Sequence, residues 1–532
     1  MKDHNHITKL GGSMKIPTFI NKIIFLTLLV SMTTLFIPST TFAGGDPTGA
    51  KTGNAFNIPA VKPGHPTLLE VADAVGHDRI AMNIIWTLLA GFLVMFMQAG
   101  FAMVEGGFTR AKNIAHTMGM NFMIYGIGVL GFWILGFALM FGGVGGIASL
   151  GGTPGLTNEL AITLFGKSFG LAGFTGFFLN SKVYDVGIFT LFLFQMVFMD
   201  TTATIPTGAM AERWKLTSFT IYGFFISMLV YPLYGNWVWG GGWLSALGTN
   251  FGLGHGVVDF AGSSVVHMVG GVAALAGAMV LGPRIGKYNK DGSSNAIPGH
   301  NIPMAIIGTF ILAFGWFGFN SGSTLAGIDL RISIIAVNTM LASASGAFTA
   351  TMYMWLKFKK PDPSMMTNGM LAGLVAITAP SAFVTAPMAV LIGAIAGVLV
   401  VAAVFFIDHK LKIDDPVGAI AVHGVNGFWG ILSLGLFADG SYGNGWNGVT
   451  GTVRGLFYGD PGQFLAELIG GIVCFVFVFS VMYAFFKICD KVIGIRVSAE
   501  DEIEGLDMPE MGIKGYENAQ DTAVEFITST KS

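Results

Sequence analysis

Two short stretches decide how this chain is read: VVHMVGG at 265–271 and AVHGVNG at 421–427. Each sets one histidine, His267 or His423, inside an apolar run. Each histidine follows an aspartate by eight residues, Asp259 in one case and Asp415 in the other. Asp415-Pro416 reads as a helix start, with a capping carboxylate and proline at the first helical position, and Asp259 can cap in the same way. Eight residues of helix rise about 12 Å, against about 15 Å for half a hydrocarbon core. Both imidazoles are therefore expected near the middle of a bilayer.

The surrounding chain supports a membrane setting. Of its 532 residues, 53% are hydrophobic, 11% are charged and 76 are glycine, whereas soluble domains are about one quarter charged. No basic block points to nucleic acid, and the net charge of −2 is uninformative about partners. Cys474 and Cys489 lie fifteen residues apart, about 22 Å on one helix and too far for a disulfide.

Residues 1–43 have the form of a signal peptide: Lys15 and Lys22, the apolar IIFLTLLVSMTTLFIP, then Thr41-Phe42-Ala43 as a cleavage site. The alternative is an uncleaved first helix, and Met14 is an alternative start. Residues 44–78 are polar and read as an extracytoplasmic segment. Eleven apolar segments follow, starting near Arg79, Ile114, Asp185, Leu216, Asp259, Ile302, Ser333, Thr367, Ala386, Pro416 and Phe464. Most have the roughly 20 residues that a spanning helix needs, and the eighth is short. With the N-terminus outside, twelve Lys and Arg fall in inner loops. Only Lys167, Lys182, Arg331 and Arg454 fall in outer ones, as the positive-inside rule requires. The C-terminus is then cytoplasmic, in an inner-membrane protein.

In that topology the fifth and tenth segments cross in opposite directions carrying the same Asp-to-His pattern. This predicts an all-α polytopic fold with an inverted 5+5 repeat plus one additional helix, and a site where the repeats meet. Ionisable residues inside a membrane usually line a pathway, although a structural histidine is the alternative. No metal-ligand spacing surrounds either one. Two neutral imidazoles in contact can accept a small N–H species and relay its proton. They offer no ring of carbonyls to replace the hydration of an alkali ion. Glu212-Arg213 reads as a local ion pair at an inner helix end, and Trp316 and Phe317 as packing.

Five motifs extend this reading: TGAMAERW at 207–214, DFAGSSVVH at 259–267, GWFGFNSGS at 315–323, DDPVGAIAVHGVNG at 414–427 and RVSAEDEIEGLD at 496–507. With them the chain, from Ile80 to Tyr516, resembles the ammonium transporter (Amt/Rh, ammonia channel) family. The resemblance implies eleven helices per subunit, a homotrimer with one pore per subunit, and no cofactor or catalytic centre. It implies substrate recruitment at Trp239, Phe198 and Ser323, a gate of Phe198 and Phe319, pore histidines His267 and His423, and Asp259 as the acid near the site. Asp259 is alternatively a structural cap. The implied substrate is ammonium or ammonia, with methylammonium as analogue, and the implied cytoplasmic partner is a PII-class signal protein.

The sequence departs from the family pattern in three places. The Trp239-to-Asp259 spacing is long, VEGG at 104–107 lacks an aromatic, and Asp200 is an unusual acid. Asp200 is either functional or bonded to Thr201, Thr202 or Thr204. Residues 79–495 form the expected membrane domain and 496–532 a regulatory tail, whose stretch 497–516 either docks or is solvated. The outer loop 142–185 is long enough to be functional or partner-facing. An ammonium sensor signalling through the tail is the competing reading, and the short tail favours transport. A membrane enzyme lacks a nucleophile set or metal motif.

Overall fold

The computed structural model describes residues 55–151, 155–179 and 183–516. The expected signal peptide and the tail beyond 516 lie outside the described residues. Two compact units are distinguished, residues 1–76 and 77–532. In the first, a 3-10 turn at Ala55–Asn57 precedes a helix start. Thr67 and Glu70 form a capping box there: the Glu70 N–H donates to the Thr67 hydroxyl (3.3 Å), and the Thr67 N–H donates to Glu70 Oε2 (2.6 Å).

Among the described residues, ten helices are long and apolar enough to cross a membrane. They are α1 (Leu68–Phe108), α2 (Ala111–Phe141), α3 (Val186–Met210), α4 (Leu216–Val238), α5 (Ser263–Leu281), α6 (Ile302–Ser321), α7 (Ile332–Phe358), α9 (Ala386–Leu411), α10 (Ile420–Phe437) and α11 (Pro461–Ile493). Between α7 and α9 comes α8 (Pro363–Ile377), shorter but apolar, with Asp362 as its cap and proline at its first position. The eleven segments are those read from the sequence, and the short eighth is a true short helix.

Four boundaries differ from expectation by four residues or more, one being the start of α8 at Pro363 rather than Thr367. The first helix starts at Leu68, eleven residues before Arg79, because a polar stretch with a capping box forms helix without looking like a span. Helices α5 and α10 start four and five residues after their aspartates. Pro416 therefore lies in a bend, not at a first helical position. The outer loop contains a two-stranded antiparallel hairpin, β1 (Glu159–Leu164) with β2 (Lys167–Gly173), which hydropathy does not detect.

Helix α5 is buried almost throughout and packs against α3, α11 and the start of α10. Helices α7, α8 and α9 pack on one another. Small residues allow this close approach: a β-carbon on Gly373 would come within 2.2 Å of the Ala342 carbonyl oxygen.

At the α3–α4 turn, Glu212 and Arg213 are both fully buried but do not pair with each other. Glu212 binds Arg110 and, at 3.1 Å, Arg284. Arg213 instead donates to the carbonyls of Ala209, Ala211, Gly282 and Asp414. Arg284 also grips both oxygens of Asp414 at 2.8 and 2.9 Å. The expected local ion pair is therefore absent, and in its place a buried cluster ties four interhelical connections together.

The tail is docked as far as 516. Helices α12 (Ala499–Glu504) and α13 (Asp507–Met511) lie against the start of α2 and the α3–α4 turn, with Leu506 fully buried. Lys112 donates to the Glu502 and Ile503 carbonyls, and Asp507 accepts from the His116 N–H. Cys474 and Cys489 are both free and buried.

Candidate pore site

The two aspartates organise matching turns. Asp259 accepts from the N–H groups of Gly262, Ser263, Ser264 and Val265 at 2.7 to 2.9 Å, and from the Ser264 hydroxyl. Asp415 accepts from Gly418 and Ile420 at 2.9 and 2.7 Å. The third residue after each acid is a glycine at positive φ, +112° for Gly262 and +81° for Gly418, a conformation costly for any residue with a β-carbon. Each carboxylate thus satisfies orphan N–H groups at a helix start. Gly262 occupies the N-cap position itself, and the Asp259 carboxylate reaches the start of the turn from three residues before it with both oxygens occupied.

Both histidines sit in wide, i+5-bonded turns, Ser263–Met268 and Ile420–Val425. Phe319 sits in a third, Phe317–Ser321. Such turns recur at functional sites because they displace side chains from the regular helical register. Here they bring the two imidazoles together. His267 Nδ1 lies 3.2 Å from His423 Nδ1, with ring centroids 5.3 Å apart and planes 25° from parallel. One Nδ1 must donate and the other accept, so the rings hold opposite tautomers around a single proton. The Nε2 of His267 is buried and meets no protein partner among the described residues.

Aromatic rings continue the row on one side. Phe319 is 5.3 Å from His267 and 4.1 Å from Phe198, and Phe198 is 6.2 Å edge-on from Trp239. Trp239 is half-buried and is fixed by its indole N–H, which donates to the Asp259 carbonyl at 2.5 Å. The long spacing between Trp239 and Asp259 is accommodated by an intervening loop and the short helix Leu247–Phe251. Ser323 donates its hydroxyl proton to the Phe319 carbonyl at 2.8 Å, which leaves its oxygen free to accept. Every site residue read from the sequence therefore falls in or beside one row, except Asp200.

Asp200 is buried, and none of its neighbouring threonines bonds it. Thr201 and Thr202 donate to the carbonyls of Val197 and Phe198, and Thr204 to Asn121. Asp200 Oδ1 meets no protein partner among the described residues.

Three residues of the row escaped the sequence reading. Trp316, expected to be packing, stacks on His267 at 5.2 Å. Phe101 lies 6.2 Å from His423. Glu105 shares a cavity with His423, and an acid within an apolar span was the signal that could have flagged it.

Chains of known kind share this architecture. Residues 85–516 match the model of the Ammonium Transporter Family. "Ammonium transporter Amt2" of Archaeoglobus fulgidus is 46% identical over 491 residues, covering 92% of this chain and 95% of that one. "Ammonium transporter Amt1" of Haloferax mediterranei is 36% identical, covering 82% and 79%. Among solved structures, "Sensor Amt Protein" aligns with a TM-score of 0.71 at 38% identity, over 82% of this chain and all of that one. Mep2 of Candida albicans aligns with a TM-score of 0.66 at 27% identity, over 79% and 87%. With a family match over most of its length and the inverted-repeat membrane architecture in place, the chain belongs to the ammonium transporter family.

Proposed function

We propose that this chain moves ammonium across a membrane by stripping its proton at His267 and His423. The observation that carries the reading is the unbroken row Trp239–Phe198–Phe319–His267–His423, ending in two imidazoles joined Nδ1 to Nδ1. Trp239 and Phe198 offer ring faces to a cation, an attraction worth about 2 kcal/mol or more when desolvated. The Ser323 oxygen accepts one N–H, a contact that potassium cannot make. The packed rings of Phe198 and Phe319 form a dry gate that a hydrated ion crosses poorly. Beyond the gate, ammonium gives an N–H proton to the histidine pair, and neutral ammonia continues. Asp259 acts through structure, holding the His267 turn and the Trp239 indole.

In this reading residues 1–43 are a cleaved signal peptide, 44–78 extracytoplasmic, 79–495 the membrane domain and 496–532 a cytoplasmic regulatory tail. The protein assembles as a homotrimer in the inner membrane, and its tail face receives a PII-class regulator. One comparison favours a second reading, ammonium sensing, because the neighbour at TM-score 0.71 is named a sensor.

Methylammonium uptake into proteoliposomes decides between them. Transport requires saturable uptake, inhibited by ammonium and reduced in Trp239→Leu and Ser323→Ala. Binding without uptake would leave the sensor reading.

A further inference from the structure

Glu105 takes no part in the pathway above, yet it is buried at 3% exposure on α1 and faces it. It lines, with Phe101, Val417 and His423, a cavity of about 20 Å³ to which neither Phe319 nor His267 contributes. That volume admits one water or one ammonia. Asn368 and Val417 line both this cavity and a larger pocket of about 340 Å³, whose wall also carries Asp362 and Asp415. A one-molecule chamber at His423 thus adjoins a wider pocket through Asn368 and Val417.

The surroundings of Glu105 fit a group that changes protonation in place. Asn121 Nδ2 donates to Oε2 at 2.7 Å. The Thr207 hydroxyl lies 2.8 and 2.7 Å from the two carboxyl oxygens and also reaches the Thr204 carbonyl. A hydroxyl has one proton to give. When Glu105 is ionised, Thr207 donates to it. When Glu105 is protonated, it donates to Thr207, which turns its own proton to Thr204. Neither state leaves a donor without an acceptor or moves a heavy atom. Gln98 and Thr204 brace the same network through Asn121. No cation among the described residues pairs with Glu105; the titratable groups facing it are His423 across the cavity, Asp415 and the Tyr222 phenol.

We propose that Glu105 is the proton-relay residue beyond the histidine pair, taking the ammonium proton from His423 through the single molecule in the shared cavity and releasing it to the wider pocket. This rests on the pore reading above. The N–H bond of ammonium breaks at the histidines, and the proton bonds to imidazole nitrogen. It passes through the cavity molecule to a Glu105 oxygen and leaves to water. Ammonia travels separately, so one ammonium equivalent crosses with its charge.

The test uses the purified full chain in proteoliposomes, recording ammonium-evoked charge movement and lumenal pH together. Glu105→Gln is expected to cut charge movement by about a hundredfold, the lower range for a placed proton acceptor, while lumenal alkalinisation shows ammonia still entering. Glu105→Asp should keep an intermediate current. In infrared difference spectra, wild type should show a carboxylic-acid C=O band responding to ammonium, absent in Glu105→Gln. Wild-type current in Glu105→Gln would overturn the proposal. Should that variant not fold, Glu105→Asp carries the test: reduced current with a shifted band supports the relay, and unchanged current with an unshifted band contradicts it. Loss of current in His423→Ala with wild-type current in Glu105→Gln removes this proposal alone. Unchanged current in His423→Ala removes the pore reading.

Discussion

Gly271 lies flat against Gly424: a β-carbon on Gly271 would sit 2.1 Å from the Gly424 nitrogen. The mirror contact joins Gly427 to Met268, whose nitrogen a β-carbon on Gly427 would approach to 2.9 Å. In each repeat the glycine four residues after the histidine rests on the backbone just after the other histidine. The twofold relation of the sequence motifs is thus a physical contact, and it sets how near the two rings come.

Gly271→Ala must therefore push α10 away from α5. The expected cost is about 1–3 kcal/mol, as for other overpacked interiors, together with loss of methylammonium uptake. Gly126→Ala, where a β-carbon would meet nothing within 4 Å, serves as the control. Thermal unfolding in detergent and uptake in liposomes check both; equal stability of the two variants would refute the contact.

The motif glycines, the acids and the histidines were legible because one short pattern carried by two oppositely directed spans marks an inverted repeat. Helix starts at Ser263 and Ile420 were not legible. An Asp-Pro or Asp-Phe step looks like a cap, and only the positive-φ glycine three residues later reveals the extra turn. Trp316 was hidden for a different reason. A tryptophan on an apolar helix is usually packing, and its stacking on His267 joins two helices whose contact has no local sequence signature. The partners of Glu212 were hidden because Arg110 and Arg284 come from loops distant in sequence.

That cluster gives a second prediction. Burial works against ionisation of Asp414, but the hydrogen bonds from Arg284 and the charges of Arg213 and Arg284 hold its carboxyl well below the usual carboxylate range. A depressed folded value means the stabilisation is complete at neutral pH. It is lost as pH falls below about 4, the unfolded value, toward the folded one. Arg284→Met leaves Asp414 and Glu212 under-paired and should cost about 3–5 kcal/mol at neutral pH. It should also flatten the acid limb of the stability profile. A wild-type melting temperature in this variant would contradict the cluster's role.

The docked tail gives a third. Asp507 holds the buried His116 N–H at 3.0 Å and Gly515 at 3.1 Å. Asp507→Ala strands the His116 donor, with an expected cost of about 1–3 kcal/mol. Truncation after Val497 removes in addition the buried Leu506 and the Glu502 partner of Arg496. Limited proteolysis should then cut the α2 start and the loop near Arg284 faster, and transport rate should change. Identical proteolysis and identical transport would show that the tail is a bystander.

A fourth prediction concerns the proposed gate. Phe198 and Phe319 overlap at 4.1 Å between centroids. Phe319→Ala opens a gap beside His267, so water reaches the imidazoles and discrimination against potassium should fall. Potassium flux measured with ammonium flux in the same liposomes checks this, and unchanged exclusion of potassium would place the barrier elsewhere.

The most direct measurement is ammonium-evoked current against potassium current in proteoliposomes carrying His267→Ala, His423→Ala or both. If the 3.2 Å imidazole pair strips the proton, each single variant should lose ammonium selectivity or current, and the double variant should be little worse than either. Wild-type ammonium current with intact potassium exclusion in the double variant would contradict the proposal that these rings handle the proton.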